Sequence, residues 1–310
     1  MGSAYKIQEL SKTYRKSERY ALDGLSFEVP AGEVVAIVGP NGAGKTTLVK
    51  LLLGLLTPTS GTVFLEDEAV TAVPGIVARK VSYLPQQGFG RALAALSVRE
   101  AVEALGRLKG LTAAESARQA GKLIGSLGLE KARDERLSRS SGGQRRLAAL
   151  AGVLIGDRPI LILDEPTNDL DAEARQRVWD ILGDIRRAGR TIILVTHNVL
   201  EADRIVDRVV LIADGRLVAC SPLTALKEGL DRLTVDLWST DPLALAARAA
   251  SESGAEISAG GRRLRFVCGR ERFGELAGWL ARAGNDSGVH WTVRTPTLED
   301  VYFEMSGGKR

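Results

Sequence analysis

Gly39, Gly44, Lys45 and Thr46 stand in the order Gly-x4-Gly-Lys-Thr, a spacing that can hold a triphosphate. A glycine-rich turn aims successive backbone N–H groups at one anion. The lysine that opens the next helix reaches the β- and γ-phosphates, and the hydroxyl after it can sit on Mg²⁺. The run Gly39-Pro40-Asn41-Gly42-Ala43-Gly44-Lys45-Thr46-Thr47 is therefore read as a phosphate cradle. Asp164 and Glu165 close the apolar run Ile160-Leu161-Ile162-Leu163. Two adjacent carboxylates repel unless a cation lies near. Asp164 is expected to hold Mg²⁺, directly or through water, and Glu165 to polarise an attacking water. His197 ends another apolar run, Thr191 to His197, where it can bond the γ-phosphate or hold the water and Glu165. The amide of Gln86, in Tyr83-Leu84-Pro85-Gln86-Gln87, can reach Mg²⁺ or the water. The metal set is then Thr46, Gln86 and Asp164, and the catalytic set Glu165, His197 and Gln86.

A second anion site is written about a hundred residues further on, in Ser140-Ser141-Gly142-Gly143-Gln144. Ser141 and Gln144 fit a capping box, which leaves the first N–H groups of the helix pointing outward with the positive end of its dipole. One chain thus carries two phosphate-binding helix starts, and one nucleotide does not need both.

The elements that must place these groups alternate. Glu33–Gly39, Pro159–Glu165 and Thr191–His197 read as buried strands, and an apolar helix pattern runs from Lys45 to Leu56. Short β-branched runs between helices indicate an α/β domain with a largely parallel core sheet. Residues 91–140 carry helix signals, with capping boxes at Ser97/Glu100 and Thr112/Glu115, and no convincing strand. They read as a helical subdomain inserted into the core, at about 91–155 with the helix that follows. Beyond Leu230 the order βαββαβ indicates a small ferredoxin-like module with a hairpin turn at Gly260-Gly261. The division is 1–230 and 231–310.

Composition sets limits. Hydrophobic residues at 45% and charged residues at 26% suit a globular protein, and a net charge of +4, scattered without a basic block, gives no reason to expect nucleic acid. Cys220 and Cys268 lack metal-site spacing and read as reduced structural thiols. No signal peptide is read, and Leu48–Leu56 is far short of a membrane span. Work at a membrane would need another chain to supply the spanning part.

Over about residues 5–225 these motifs, in this order, resemble the ATP-binding subunit of ABC transporters. The resemblance implies a P-loop NTPase fold of the ABC type: a parallel core sheet, an antiparallel β subdomain and an inserted helical subdomain. It implies ATP and Mg²⁺ as ligands. Ser140–Gln144 is similar to the family's signature motif, and Pro166–Asp171 stands where the family has its D-loop, placing Asn168, Asp169, Leu170 and Asp171 at a dimer interface. Tyr14 stands where the family stacks an aromatic ring on adenine. Two such domains pack head to tail, so Ser141, Gly142, Gly143 and Gln144 of one chain would grip ATP held by the other. That accounts for the second anion site. Ser140 departs from the usual leucine and Asp169 from the usual D-loop glycine. The first is expected to loosen packing of the helix start, the second to alter communication between the two ATP sites.

The tail Thr295–Gly307, with Pro296-Thr297-Leu298-Glu299-Asp300-Val301, looks like the C-terminal signature of ATPases of ABC-2-type exporters. An ordinary helix start would read the same. The resemblance implies a motor at the cytoplasmic face of the cell membrane, paired with a second ATP-binding subunit and a separate permease, for export of a drug, antibiotic, lipid or polysaccharide. Its alternatives are an importer or metal-maturation motor, and a soluble ABC ATPase acting on nucleic acid or ribosomes.

Overall fold

The structure, a computed structural model, describes residues 2–14, 19–73, 75–88, 93–196, 199–230, 232–238, 256–260, 263–269, 273–283, 290–298 and 300–301. The chain forms two compact units, Met1–Pro222 and Leu223–Arg310.

In the first unit, β1 (Ser3–Thr13), β2 (Tyr20–Pro30), β4 (Ser60–Leu65) and β5 (Glu68–Ala69) form an antiparallel sheet in the order β2-β1-β4-β5. Strands β3 (Val34–Val38), β6 (Val81–Leu84), β7 (Ile160–Asp164), β8 (Thr191–Val195), β9 (Arg208–Ala213) and β10 (Arg216–Pro222) form a second sheet, ordered β10-β9-β3-β8-β7-β6. All but β10 run parallel. Every residue of β3, β7 and β8 is buried, which is why these strands read as unbroken apolar runs. The register aligns Ile37 and Asp164 with Val195, and Leu163 with Leu84. The loops that leave β3, β8, β7 and β6 therefore emerge side by side at the carboxyl edge, where open α/β sheets bind ligands.

The helices are α1 (Lys45–Leu52), α2 (Ile76–Lys80), α3 (Val98–Leu108), α4 (Ala113–Ser126), α5 (Gly142–Leu154), α6 (Ala172–Arg187) and α7 (Val199–Ala202). Helix α1 stops four residues short of the expected Leu56. Gly54 at φ +67° turns the chain left-handed, Gly54 N donates to Leu51 O at 3.0 Å and Leu55 N to Lys50 O at 2.8 Å. That pair of bonds closes a helix end, and the apolar residues beyond it lie outside the helix. The capping boxes at Ser97/Glu100 and Thr112/Glu115 open α3 and α4. From Arg146 to Leu154 every residue of α5 is buried.

Lys109, just past α3, secures the far end of α5. Its Nζ donates to Val153 O at 2.7 Å, Ile155 O at 2.8 Å, Gly152 O at 3.0 Å and Ser82 Oγ at 2.8 Å. An amine among the last carbonyls of a helix satisfies groups that no donor inside the helix reaches, and when protonated opposes its dipole; burial, with Arg158 and Arg190 near, pulls Lys109 down to about 7. Lys109→Met should strand those oxygens. At about 1–3 kcal/mol for each unsatisfied group or lost charged bond, the expected loss is about 3 kcal/mol. In a domain of this size that is a Tm about 10 °C lower, readable by calorimetry.

The second unit holds α8 (Leu223–Gly229), β11 (Arg232–Trp238), β12 (Glu256–Gly260), β13 (Arg263–Gly269), α9 (Phe273–Ala283) and β14 (His290–Arg294). Its sheet runs β12-β13-β11-β14, antiparallel throughout, the order and directions of a ferredoxin-like module. The first helix of the expected βαββαβ order, residues 242–251, and the hairpin residue Gly261 lie outside the described residues. Thr297 caps the start of the tail motif: Asp300 N donates to Thr297 Oγ1 at 3.4 Å, and Asp300 Oδ2 accepts from Thr297 N and Thr297 Oγ1, each at 2.8 Å. Arg294 donates to Asp300 at 2.5 Å, and its Nε stands 3.6 Å from buried Asp236. The tail motif thus fastens to its own sheet through Asp300.

Candidate active site

The loop between β3 and α1 is shaped by two close approaches. A Cβ on Gly39 would lie 2.1 Å from Ile212 O, and one on Gly44 would lie 2.4 Å from Ala21 O. Gly44, at φ +102°, is the N-cap of α1 and offers no side-chain bond, so the first N–H groups of that helix face outward. Lys45 Nζ bends over the loop to Gly39 O at 2.7 Å and Pro40 O at 2.9 Å. Burial holds the Lys45 ammonium below its ordinary value while Glu165 and Asp164 pull it up. Asn41, Gly42 and Thr46 are exposed, Thr47 half-buried and Ala43 buried. Tyr14 Oη lies 3.2 Å from Thr47 Oγ1, and Tyr14 is 43% exposed with Lys12 Nζ 5.9 Å from the ring centroid, so a partly exposed aromatic ring stands beside the phosphate loop.

Asp164 ends β7 and is buried, as is Glu165. Burial first, then the neighbouring Glu165 charge, raises the Asp164 carboxyl above its ordinary value; Arg146 and Lys45 oppose the rise. A buried carboxylate raised by a second one is stabilised by a divalent cation. Thr46, Asp164 and Gln86 suit Mg²⁺, which keeps several waters and takes one or two carboxylates. Among the described residues no group of three His, Cys, Asp or Glu forms a dedicated metal cage. Glu165 sits at φ +52°, a left-handed conformation that costs a non-glycine residue roughly 1–2 kcal/mol. Its N–H donates to Val195 O at 2.8 Å, and Oε2 accepts from Thr196 Oγ1 at 3.1 Å. The turn is pinned at backbone and side chain, as strained residues at functional sites are. His197 lies outside the described residues. Just beyond it, Glu201 of α7 accepts from Trp179 Nε1 at 2.7 Å and from Arg175 at 3.1 Å, which anchors α7 to α6.

At the start of α5 the capping box forms: Gln144 N donates to Ser141 Oγ at 3.2 Å and Ser141 N to Gln144 Oε1 at 2.8 Å. Ser141 and Gly142 are exposed. Behind them the loop Asn168–Asp171 closes in, with Asp169 O 3.1 Å from where a Cβ on Gly143 would stand. Asp171 caps α6 through Ala174 N at 2.8 Å, and Leu170 is buried. Asp169 adopts φ +63°, which explains why glycine suits this position. Ser140 is buried with its hydroxyl on Arg136 O at 3.2 Å, so its polar group is paired where leucine would pack.

Sequence reasoning missed two residues. Thr196 aims Glu165. Arg146, 5% exposed, donates from Nη1 to Pro85 O at 2.6 Å and Gln86 O at 3.0 Å. Its Nη2 bonds Asp164 O and reaches Glu165 O at 2.5 Å, and Nε reaches Pro166 O at 3.4 Å. The signal for Arg146 was its place on the wholly apolar face of α5, where a charge must be paired.

Residues 22–168 match the family described as ABC transporter. Nod factor export ATP-binding protein I of Paraburkholderia xenovorans (strain LB400) is 33% identical over 98% of this chain and 97% of its own. Daunorubicin/doxorubicin resistance ATP-binding protein DrrA of Streptomyces peucetius is 38% identical over 73% of this chain and 68% of its own. A dimeric post-hydrolysis state of the ATP-binding cassette MJ0796, bound to ADP and Pi, superposes with a TM-score of 0.65 at 27% identity, covering 71% of this chain and 98% of that one.

Proposed function

The chain belongs to the ATP-binding subunits of ABC transporters and is an ATPase, and from that premise we propose that it drives export through a separate membrane permease. Both named relatives are export or resistance ATP-binding proteins, and the first aligns with nearly the whole chain, second unit included. No helix among the described residues is long and apolar enough to cross a membrane. As the motor of an exporter, the subunit works peripherally at the cytoplasmic face, on a partner that spans.

ATP lies with adenine on Tyr14 and its phosphates on Gly39–Thr47, Lys45 countering the β- and γ-charges. Thr46, Gln86 and Asp164 would hold Mg²⁺, which would supply positive charge against that of the phosphates. Glu165 takes the proton of the attacking water, and His197 holds water and γ-phosphate in line. Ser141, Gly142, Gly143 and Gln144 of a second cassette close over the γ-phosphate, with Asn168–Asp171 lining the seam. ATP then binds across two chains, so its binding favours closure and its hydrolysis favours opening. A cleft of about 560 Å³ bounded by Gln86, Gln87, Ala101, Leu105, Arg145 and Asp169 offers a seat for a cytoplasmic helix of the permease.

The observation that carries this reading is the exposed, capped start of α5, a second anion site that the chain's own loop does not need. The purified chain bearing Glu165→Gln should dimerise with ATP and magnesium and remain monomeric with ADP, by light scattering. A persistent monomer at high protein concentration sinks the paired motor. Co-purification with a multispanning protein tests the permease.

A further inference from the structure

We propose that Arg146 is a positioning residue that ties the trans-acting start of α5 to the chain's own catalytic carboxylates and Gln86, so that one side chain governs two nucleotide sites. This rests on the paired-cassette reading above.

A guanidinium has five N–H donors in a rigid planar fork. Here the fork meets five carbonyl oxygens, those of Pro85, Gln86, Asp164, Glu165 and Pro166. Two come from the loop after β6, one from the last residue of β7 and two from the turn that follows it. Arg146 itself is the fifth residue of α5, little more than one turn from Ser141. Any shift of the helix start onto a γ-phosphate therefore drags the fork against the backbone of both loops.

What those carbonyls belong to decides the consequence. Asp164 and Glu165 carry the carboxylates, and the Glu165 turn is already fixed on its other sides by Val195 O and Thr196. Its carbonyl accepts from Arg146 Nη2 at 2.5 Å and from Asn168 N at 3.3 Å, so the guanidinium holds the turn from the α5 side. Gln86 is gripped through its backbone, which leaves its exposed side chain available to the site. Asp169 stands at the same helix start and adds its charge to those of Asp164 and Glu165 around the guanidinium. Burial with five directional bonds makes the linkage stiff, because no flexible element lies between helix start and carboxylate turn. Lysine keeps the charge but not the fork, so it should hold the fold and lose the alignment.

The test uses mixed dimers of full-length chains carrying two different tags. One chain bears Glu165→Gln, so both sites bind ATP and only the other chain's site hydrolyses. Arg146→Lys is placed either on the hydrolysing chain or on the silenced chain, whose helix start covers that same ATP. Since misplacement by about 1 Å can cost on the order of 100-fold, single-turnover hydrolysis should fall roughly 10- to 100-fold in both arrangements, with ATP affinity within about threefold of the parent. A loss in one arrangement only, in neither, or accompanied by an equal loss of ATP affinity overturns the proposal. If Arg146→Lys melts far below the parent, Arg146→Gln, which removes the buried charge and keeps an amide donor, enters the same dimers under the same criteria. Control dimers with Arg146 intact separate the two ideas: if they do not form with ATP, the paired motor itself fails.

Discussion

The chain with Glu165 replaced by glutamine should bind ATP as tightly as the parent and turn it over about 10²–10⁴ times more slowly, the usual cost of losing a general base. Three features of the site lead there. Glu165 is buried, so a carboxylate in that place is not diluted by solvent. Its backbone is held left-handed at φ +52° by the bond to Val195 O, which leaves the side-chain amide of glutamine in the same position. Thr196 Oγ1 can donate to an amide oxygen as it does to Oε2. The substitution therefore removes a proton acceptor and little else. It also takes one negative charge from beside Asp164, which should ease the crowding that raises that carboxyl. Nucleotide affinity by titration and phosphate release by a coupled assay read the two effects separately. Parent-like turnover would remove Glu165 from the role of base and return attention to His197.

The sequence made the chemistry legible where it is local. A phosphate loop is a glycine pattern joined to a helix start, and the spacing from Gly39 to Thr46 states both. The capping boxes at Ser97, Thr112 and Ser141 were equally readable, because a hydroxyl and an acceptor three residues apart need nothing from elsewhere in the fold. The buried strands were visible because a parallel sheet covered on both faces leaves no room for alternation. What escaped is non-local. Arg145 and Arg146 are neighbours of the same type, yet one is exposed and the other buried on carbonyls some 20 and 60 residues away. No spacing rule encodes such a partnership. Thr196 was read only as part of an apolar run, since its bond to Glu165 exists only once β7 and β8 lie side by side. The overlong α1 has the opposite cause: apolar residues at 55 and 56 continued the helical pattern, and the left-handed Gly54 overruled them. The tail motif was legible as a pattern and opaque as a device, because Asp300 meets Arg294 and, through it, Asp236 only after β11 and β14 pair.

Gly44→Ala should cost ATP binding at least about 100-fold and destabilise the first unit by about 3–5 kcal/mol, whereas Gly42→Ala, two residues earlier in the same loop, should destabilise it by only about 1 kcal/mol. The difference lies in what each Cβ meets. At Gly44 it would stand 2.4 Å from Ala21 O and 2.6 Å from Leu22 Cδ2, and Leu22 is fully buried. Neither atom is the free end of a flexible chain, so relief must come from moving α1 away from β2. A left-handed backbone for alanine adds roughly 1–3 kcal/mol, and overpacking a filled site typically another 1–3 kcal/mol. Moving α1 turns its first N–H groups off the phosphate position and draws Lys45 from its carbonyl perches on Gly39 and Pro40. At Gly42 the conformation is also left-handed, φ +83°, but nothing lies within 4 Å of the added methyl. Only the backbone penalty applies there, near the lower end of roughly 1–2 kcal/mol. Melting curves with and without ATP separate the two variants. Equal losses would mean that the glycines serve backbone freedom alone, and that the close approach of β2 to the helix start has no part in shaping the cradle.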